Sequence, residues 1–518
     1  MTSDSGTRSI NEDSLPRLAM TVPTESAVLT SALKRGALWS AGGTIFLRLG
    51  NIVLMAVVAR IVSPRDLGIF TLAVTVHALI VNLAELGVAS AIARSDLDVG
   101  RIAPTVAAVS IGSSLMLAVP MAIFANDIAG ALGSAEAGPA IRIMAIGVAL
   151  IGPVAVPGAL LQRQFRQDVV FWASAIAFVP GSATLFLLAS VGSGPEAFAW
   201  SRIVGQVIMG GIMMARSGAP FWPRVQLDVL RPLLAFGLPL AGANLLSQIL
   251  LNADYLFIGR MMSVGELGVY FLAFNIAMWP TAVIGSILNG LVLPGISVVR
   301  RDGGDIAAAV AHGARAVALV AFPLAAFLGA FSGPLVSTIY GPKWHAAAPV
   351  LSILAVYGAL FILGLLLANI IIATGRTGVL FAVQVCALAA LMPALPLGIS
   401  MGGIGGAAVA HIVVIGAVTT PVYIFALRRS TGLGLRRLLQ AVGRPAITAL
   451  TAAVVAWLAT RQIDSALLQL VIGALIGATI FGSLNRQALA ALTPVKARSL
   501  LKIRLLPSRR PKKSRNPA

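Results

Sequence analysis

A small set of ionisable and amide side chains interrupts the apolar runs of this chain, and their types point to binding rather than bond-making chemistry. Arg48 stands about 12 residues into the first run, or roughly 18 Å along a helix axis. Thr44, Arg48 and Asn51 fall at i, i+4 and i+7 and make one polar stripe. Asn82 and Glu85 share a face of the second run, Arg142 stands near the start of the fourth, and Arg202 and Gln206 are one turn apart in the sixth. The seventh carries Asn244, Ser247, Gln248, Asn252, Asp254 and Tyr255 within a half-circle of its surface.

A charge at the centre of a membrane helix costs about 2.5–3.5 kcal/mol on insertion scales, so each needs a partner or a water-filled cavity. Arginine keeps its charge, and its planar fork can hold two oxygens of an anion; amides and hydroxyls satisfy polar groups without adding charge. Arg142 and Arg202 could equally snorkel to the interface, whereas Arg48 is too deep for that. Glu85 and Asp254 are read first as counter-ions to the arginines, and second as coupling sites for H⁺ or Na⁺. His77, His312, His345 and His411 are scattered, with no metal-ligand spacing and no Ser/His/Asp or Cys/His arrangement, so no catalytic residue, metal or other cofactor is expected. Cys386 is the single cysteine, which excludes an intrachain disulfide.

The elements that position these side chains are membrane helices. Apolar residues make up 58% of the 518 positions and charged ones 11%, with mean hydropathy +0.93. A soluble domain averages roughly 25% charged residues, so lipid must be the solvent for much of this exterior. Fourteen apolar runs can be read, from 36–59 to 465–484, the thirteenth (445–460) being short. A crossing helix needs about 20 residues. The fold class is therefore an all-α integral membrane protein of about 14 helices.

The formal net charge of +20 lies in short segments between the runs and in the C-terminal tail, the pattern of cytoplasmic loops rather than of a nucleic-acid binder. With the N-terminal tail inside, Arg94, Arg101, Arg163, Arg166, Arg216, Arg224, Arg231, Arg300, Arg301, Arg376, Arg428, Arg429, Arg436, Arg437 and Arg444 fall on inner loops, while only Arg60, Arg65, Arg260, Lys343 and Arg461 fall outside. The excess predicts both termini on the cytoplasmic side. Basic clusters there can also meet anionic lipid headgroups. The first thirty residues read as a polar, disordered tail rather than a signal peptide.

Residues 60–73 (RIVSPRDLGIFTLA) and 260–273 (RMMSVGELGVYFLA) match without gaps at an offset of 200. Arg60/Arg260, Ser63/Ser263, Leu67/Leu267, Gly68/Gly268, Leu72/Leu272 and Ala73/Ala273 are identical, and Asp66/Glu266 is conservative. The copies follow the first and seventh runs, so two six-helix lobes share one membrane orientation, an arrangement suited to alternating access. The expected units are a tail (1–30), an N-terminal lobe (31–216), a C-terminal lobe (217–428), a basic linker with an extra helix pair (429–494) and a basic tail (495–518). Arg60 and Arg260 are expected to cap the helices that precede them. The Gly402–Gly406 cluster is expected to allow close helix packing.

The Arg-x-x-Ser-x-x-(Asp/Glu)-Leu-Gly-x-(Phe/Tyr) turn resembles that of the polysaccharide-transporter branch of the multidrug/oligosaccharidyl-lipid/polysaccharide flippase superfamily, to which Wzx-type O-antigen flippases belong. Tyr340-Gly341-Pro342-Lys343-Trp344, Ala373-Thr374-Gly375-Arg376 and Gly402 to Ala408 resemble further segments of that family, in the same order, over roughly residues 30–430. The resemblance implies a bacterial cytoplasmic-membrane flippase that turns over a polyprenyl-diphosphate-linked oligosaccharide, beside a glycosyltransferase and polymerase machinery. It then casts Arg48, Arg142 and Arg202 as phosphate contacts. Thr44, Asn51, Asn244, Gln248, Asn252 and Tyr255 would serve the saccharide. The last helix pair exceeds the family's twelve-helix core and matches the length of lipid II flippases. Such a flippase, or a drug/cation antiporter of the same superfamily, is the alternative; a polytopic polymerase or ligase would need a large external loop that is not visible.

Overall fold

The computed structural model describes residues 47, 49–85, 99–218, 222–281, 284, 285, 288, 305–432 and 434–492, and all regular structure among them is helical. Among the described residues eleven helical segments are long and apolar enough to cross a membrane, with 378–428 counted as one. The chain is a multi-pass membrane protein. In chain order the helices are α1 (Leu49–Ala59), α2 (Pro64–Ala84), α3 (Val99–Ile123), α4 (Gly138–Arg163), α5 (Gln167–Ser190), α6 (Gly194–Arg216), α7 (Leu227–Met261), α8 (Val264–Ala277), α9 (Ile306–Ala330) and α10 (Ala347–Ala373). The segment Thr377–Val414 holds two helices that meet at Gly402 and Gly403. We number them α11 (377–401) and α12 (404–431), the second including a π-helical stretch, Ile415–Thr419. Last come α13 (Leu435–Thr460) and α14 (Ala466–Leu484). The expected count of fourteen spans is not established by length, because α1 and α8 are short within the described residues.

Many exposed side chains on these helices are large and apolar. Met116 is 77% exposed and Ile447 68%, although both are large and hydrophobic. Water would penalise that surface by about 25 cal/mol per Å², so the helices are stable with this face in lipid.

The repeated turn is built identically in both copies. The Ser63 hydroxyl accepts from the Asp66 amide, and the Asp66 carboxylate accepts from the Ser63 amide, a capping box that starts α2; Ser263 and Glu266 repeat it at α8. The two starts cross each other. A Cβ on Gly68 would overlap the Val264 carbonyl, and one on Gly268 would overlap the Pro64 carbonyl. Glycine is needed at both positions because backbone meets backbone there.

A second motif recurs after α3 and α9. A short helix (Ala125–Ala131 or Ser332–Ile339) leads to a left-handed glycine (Gly133 or Gly341, both φ +96°), then to one 3₁₀ turn (Ala135–Ala137 or Pro342–Trp344) and a long helix. The first copy packs Gly133 on the Gly259 carbonyl of α7. The second places Trp344, fully buried, so that its Nε1 donates to the Ala59 carbonyl of α1 at 2.8 Å. Lys343 Nζ donates to Val62 at 2.6 Å, and an Arg60 guanidinium nitrogen donates to Thr338 at 2.8 Å. The expectation that Arg60 caps its own helix is thereby corrected. It instead donates to the end of a short helix on the opposite side of the seam, where a free carbonyl lies within its reach. Partial burial pulls the Lys343 ammonium below the usual lysine range, and Asp66 opposes that.

The seam at the opposite end is thinner. Arg101 of α3 pairs with Asp228 of α7 at 2.6 Å with both side chains more than half exposed, and the Arg224 and Gln226 amides donate to Pro104 and Thr105. The helices α13 and α14 pack against α9 through Leu319, Ala449, Ala452 and Phe481. The start of α13 corrects the short thirteenth run: Leu435 begins the helix ten residues early, because Leu438 and Val442 turn inward while Arg436 and Arg437 stay exposed. Close packing at the glycine cluster is present, since a Cβ on Gly406 would overlap the Gly398 carbonyl of α11.

Candidate functional site

Within helices α1, α2, α4, α5 and α6 lies a cavity of about 590 Å³. Its polar lining comes from Asn51 of α1, His77 and Glu85 of α2, Gln162 of α4, Ser174 and Ser182 of α5, and Ser201, Arg202 and Gln206 of α6. Helical spacing explains the convergence: His77, Val81 and Glu85 recur every fourth residue on one face, as do Arg202 and Gln206.

Some of these groups are fixed and others are free to act. His77 Nδ1 lies 3.1 Å from the Met144 carbonyl, and Gln206 Nε2 donates to the Gly147 carbonyl at 2.8 Å. Gly147 has no side chain because His77 and Gln206 crowd the place where one would start. Ser201 donates to Gly181 at 2.7 Å and ties α5 to α6. The buried Ser182 hydroxyl has no hydrogen-bond partner among the described residues. Arg202 and Glu85 line the same cavity, but no ion pair joins them among the described contacts. Among the described residues the cavity thus offers one guanidinium, one carboxylate and a ring of neutral donors and acceptors. That set can hold a polyhydroxylated anion.

The sequence candidates do not all meet at this cavity. Asn51, Glu85 and Arg202 are brought together; Thr44 and Arg48 lie outside the described residues. Arg142 lines neither this cavity nor the second one; it is exposed, with Nε 3.5 Å from the Ala122 carbonyl. An apolar sequence neighbourhood does not reveal which face a residue occupies. The seventh-helix set splits between two faces. Ser247 lines a cavity of about 350 Å³ in the C-terminal half together with Tyr357, Asn369, Gln384 and His411, and it accepts from Gln384 at 3.1 Å. Asn244, Gln248 and Asn252 stand half-buried elsewhere on α7, and the Asn252 amide donates to the Gln248 carbonyl at 2.8 Å. Tyr255 is buried among Tyr270, Phe271 and Phe274 and lines neither of these two cavities. Asp254 meets no arginine among the described residues: its Oδ2 lies 3.3 Å from His411 Nε2, with both side chains buried. Sequence reasoning missed His77 and His411. The spacing of His77 from Glu85 could have found the first, but nothing local marks the second.

Comparison with known proteins follows the same lines. The chain is 25% identical over 473 residues to the succinoglycan biosynthesis transport protein ExoT of Rhizobium meliloti (89% of this chain, 92% of that protein). It is 23% identical over 389 residues to the lipopolysaccharide biosynthesis protein WzxC of Escherichia coli (73% and 77%). Its fold is shared with the lipid II flippase MurJ in an inward closed conformation, at TM-score 0.73 and 15% identity over 87% of this chain and 99% of that one. It is shared also with an inward-facing multidrug resistance transporter of the MATE family, at TM-score 0.59 and 17% identity over 74% and 96%. Residues 57–349 match the polysaccharide biosynthesis protein family, and the chain belongs to it.

Proposed function

We propose that this protein is a flippase that carries a polyprenyl-diphosphate-linked oligosaccharide across the bacterial cytoplasmic membrane by alternating access, for export of cell-surface polysaccharide. The observation that carries the reading is the polar cavity within α1, α2, α4, α5 and α6, holding Arg202 among neutral hydrogen-bonding groups while the lobes close over it at the α1–α2 end. A guanidinium suits the diphosphate, and Asn51, Gln162, Gln206 and the serines suit sugar hydroxyls. Names of the relatives, which place them in succinoglycan and lipopolysaccharide biosynthesis, support the same class of cargo. The charge bias of the loops supports cytoplasmic termini, which puts the tight seam on the outer side and the Arg101–Asp228 contact on the inner side. The glycosyltransferases that build the glycan on its carrier, and the polymerase that consumes it, are the natural neighbours. Glu85 in the same cavity favours a second reading, an antiporter for organic cations.

The test is translocation of a fluorescent polyprenyl-diphosphate sugar in liposomes holding the purified full-length protein. Wild type should move it, Arg202→Ala should not, and Arg202→Lys should recover part of the rate. Transport of a lipophilic cation by wild type, with no saccharide movement, would overturn the flippase reading.

A further inference from the structure

Outside the polar cavity, the most unusual chemistry in the molecule is a titratable pair sealed inside the C-terminal lobe. Asp254 of α7 is 0% exposed and His411 of α12 is 4% exposed, with Oδ2 and Nε2 3.3 Å apart. Asp254 Oδ1 accepts from the Tyr255 amide at 3.0 Å, but neither Oδ2 nor Nε2 has a hydrogen-bond partner of good geometry among the described residues. Around the pair stand aromatic rings: Tyr357 of α10 with its centroid 4.8 Å from the imidazole, and Phe274 of α8 at 6.2 Å.

An ionised carboxylate beside a neutral imidazole carries one net negative charge in a place with few dipoles to hold it. One added proton, on either partner, makes the pair net neutral and supplies the missing hydrogen bond. The groups that face it add no fixed charge. They are Tyr255 on α7, Tyr270 on α8, whose buried hydroxyl is directed at the Asp254 carboxyl but falls short of good hydrogen-bond geometry, and Tyr357 on α10. From α11 the polar group directed at α7 is Gln384, which donates to Ser247. From α2 the contact at Gly259 is Leu72, while His77 and Glu85 of that helix line the other cavity. A hard alkali cation would want several oxygen ligands, and an imidazole nitrogen is not one of them. The pair is built for a proton.

Two features of α12 connect a proton to movement. His411 lines the C-terminal cavity, which gives it a path for water. The stretch 404–414 that carries it is bounded by breaks at both ends: the non-helical Gly402 and Gly403 before it, and the π-helical Ile415–Thr419 directly after it. Such stretches let a helix segment shift without unfolding.

We propose that Asp254 and His411 form a proton-binding site in the C-terminal lobe, whose occupancy sets the position of residues 404–414 and so couples proton movement to the lobe transition. The proposal rests on the transporter reading but not on the identity of the cargo, so it is tested without any saccharide. A nitroxide at Val409→Cys, which is 46% exposed, in a Cys386→Ser background would report the segment in nanodiscs in Na⁺-free buffer. Wild type should show one reversible step in label mobility as the pH is varied. Asp254→Asn and His411→Gln should both lose it at unchanged thermal stability, and Asp254→Glu should keep it with a moved midpoint. A step that survives in both neutral variants, a wild type with no step, or a segment that moves with Na⁺ at fixed pH would each overturn the assignment. Failure of the liposome assay alone, with the proton step intact, would strike the proposed cargo and leave this site standing.

Discussion

Replacing Trp344 by Phe keeps an aromatic ring in the outer seam and removes its Nε1–H. The Ala59 residue that accepts from it is itself 0% exposed, so the orphaned carbonyl has no water to turn to. An unmade hydrogen bond at a buried acceptor costs about 1–3 kcal/mol. That cost falls only on the conformation in which α1 and the Pro342–Trp344 turn touch, because the bond exists only there. The equilibrium between closed and open seam should therefore move toward open by about 5- to 150-fold. Nitroxides at Val191→Cys, on an exposed turn of the N-terminal lobe, and Arg461→Cys, on an exposed turn of the helix pair packed against α9 of the C-terminal lobe, would report it as a longer interspin distance in a Cys386→Ser background. A Trp344→Phe protein of full thermal stability with an unchanged distance distribution would refute the claim that this bond holds the lobes together.

Gly68→Ala should open the same seam, since its methyl would displace the Val264 carbonyl; overpacking of that kind costs about 1–3 kcal/mol, readable with the same label pair. Arg101→Ala should loosen the opposite end only slightly, because solvent screens an exposed ion pair, and its effect should vanish in high salt. Arg48→Ala should abolish glycan export at normal protein level in the membrane, Arg48→Lys should restore part of it, and Arg48→Glu should be inactive. Wild-type export by the glutamate variant would mean that no anion binds there.

Membrane insertion, helix order and the duplicated turn were legible because they depend on composition and local spacing. A run of apolar residues becomes a crossing helix whatever surrounds it, and Ser63-x-x-Asp66 makes a capping box wherever a helix starts. The cavity was legible in part. Arg202 and Gln206 sit one turn apart and do share it, and Asn51 belongs to it as the polar stripe implied. Arg142, whose exposure fits its snorkelling alternative, and Tyr255 lie away from the described cavities, because helical period gives relative face but not which face meets the neighbours. The meeting of Asp254 with His411 depends on how α12 lies against α7, and no local pattern encodes that.

The contact of Gly68 with Val264 and of Gly268 with Pro64 has the form of an isologous interface, in which each partner offers the other the same patch. In a dimer of half-length chains, any substitution at such a point would appear twice and face itself. Joining the halves in one polypeptide removes that restraint. Ala137 and Trp344 illustrate the freedom gained, for they occupy equivalent turns with very different bulk. Covalent fusion is thus what allows one half to keep a simple backbone abutment while the other evolves a side-chain clasp.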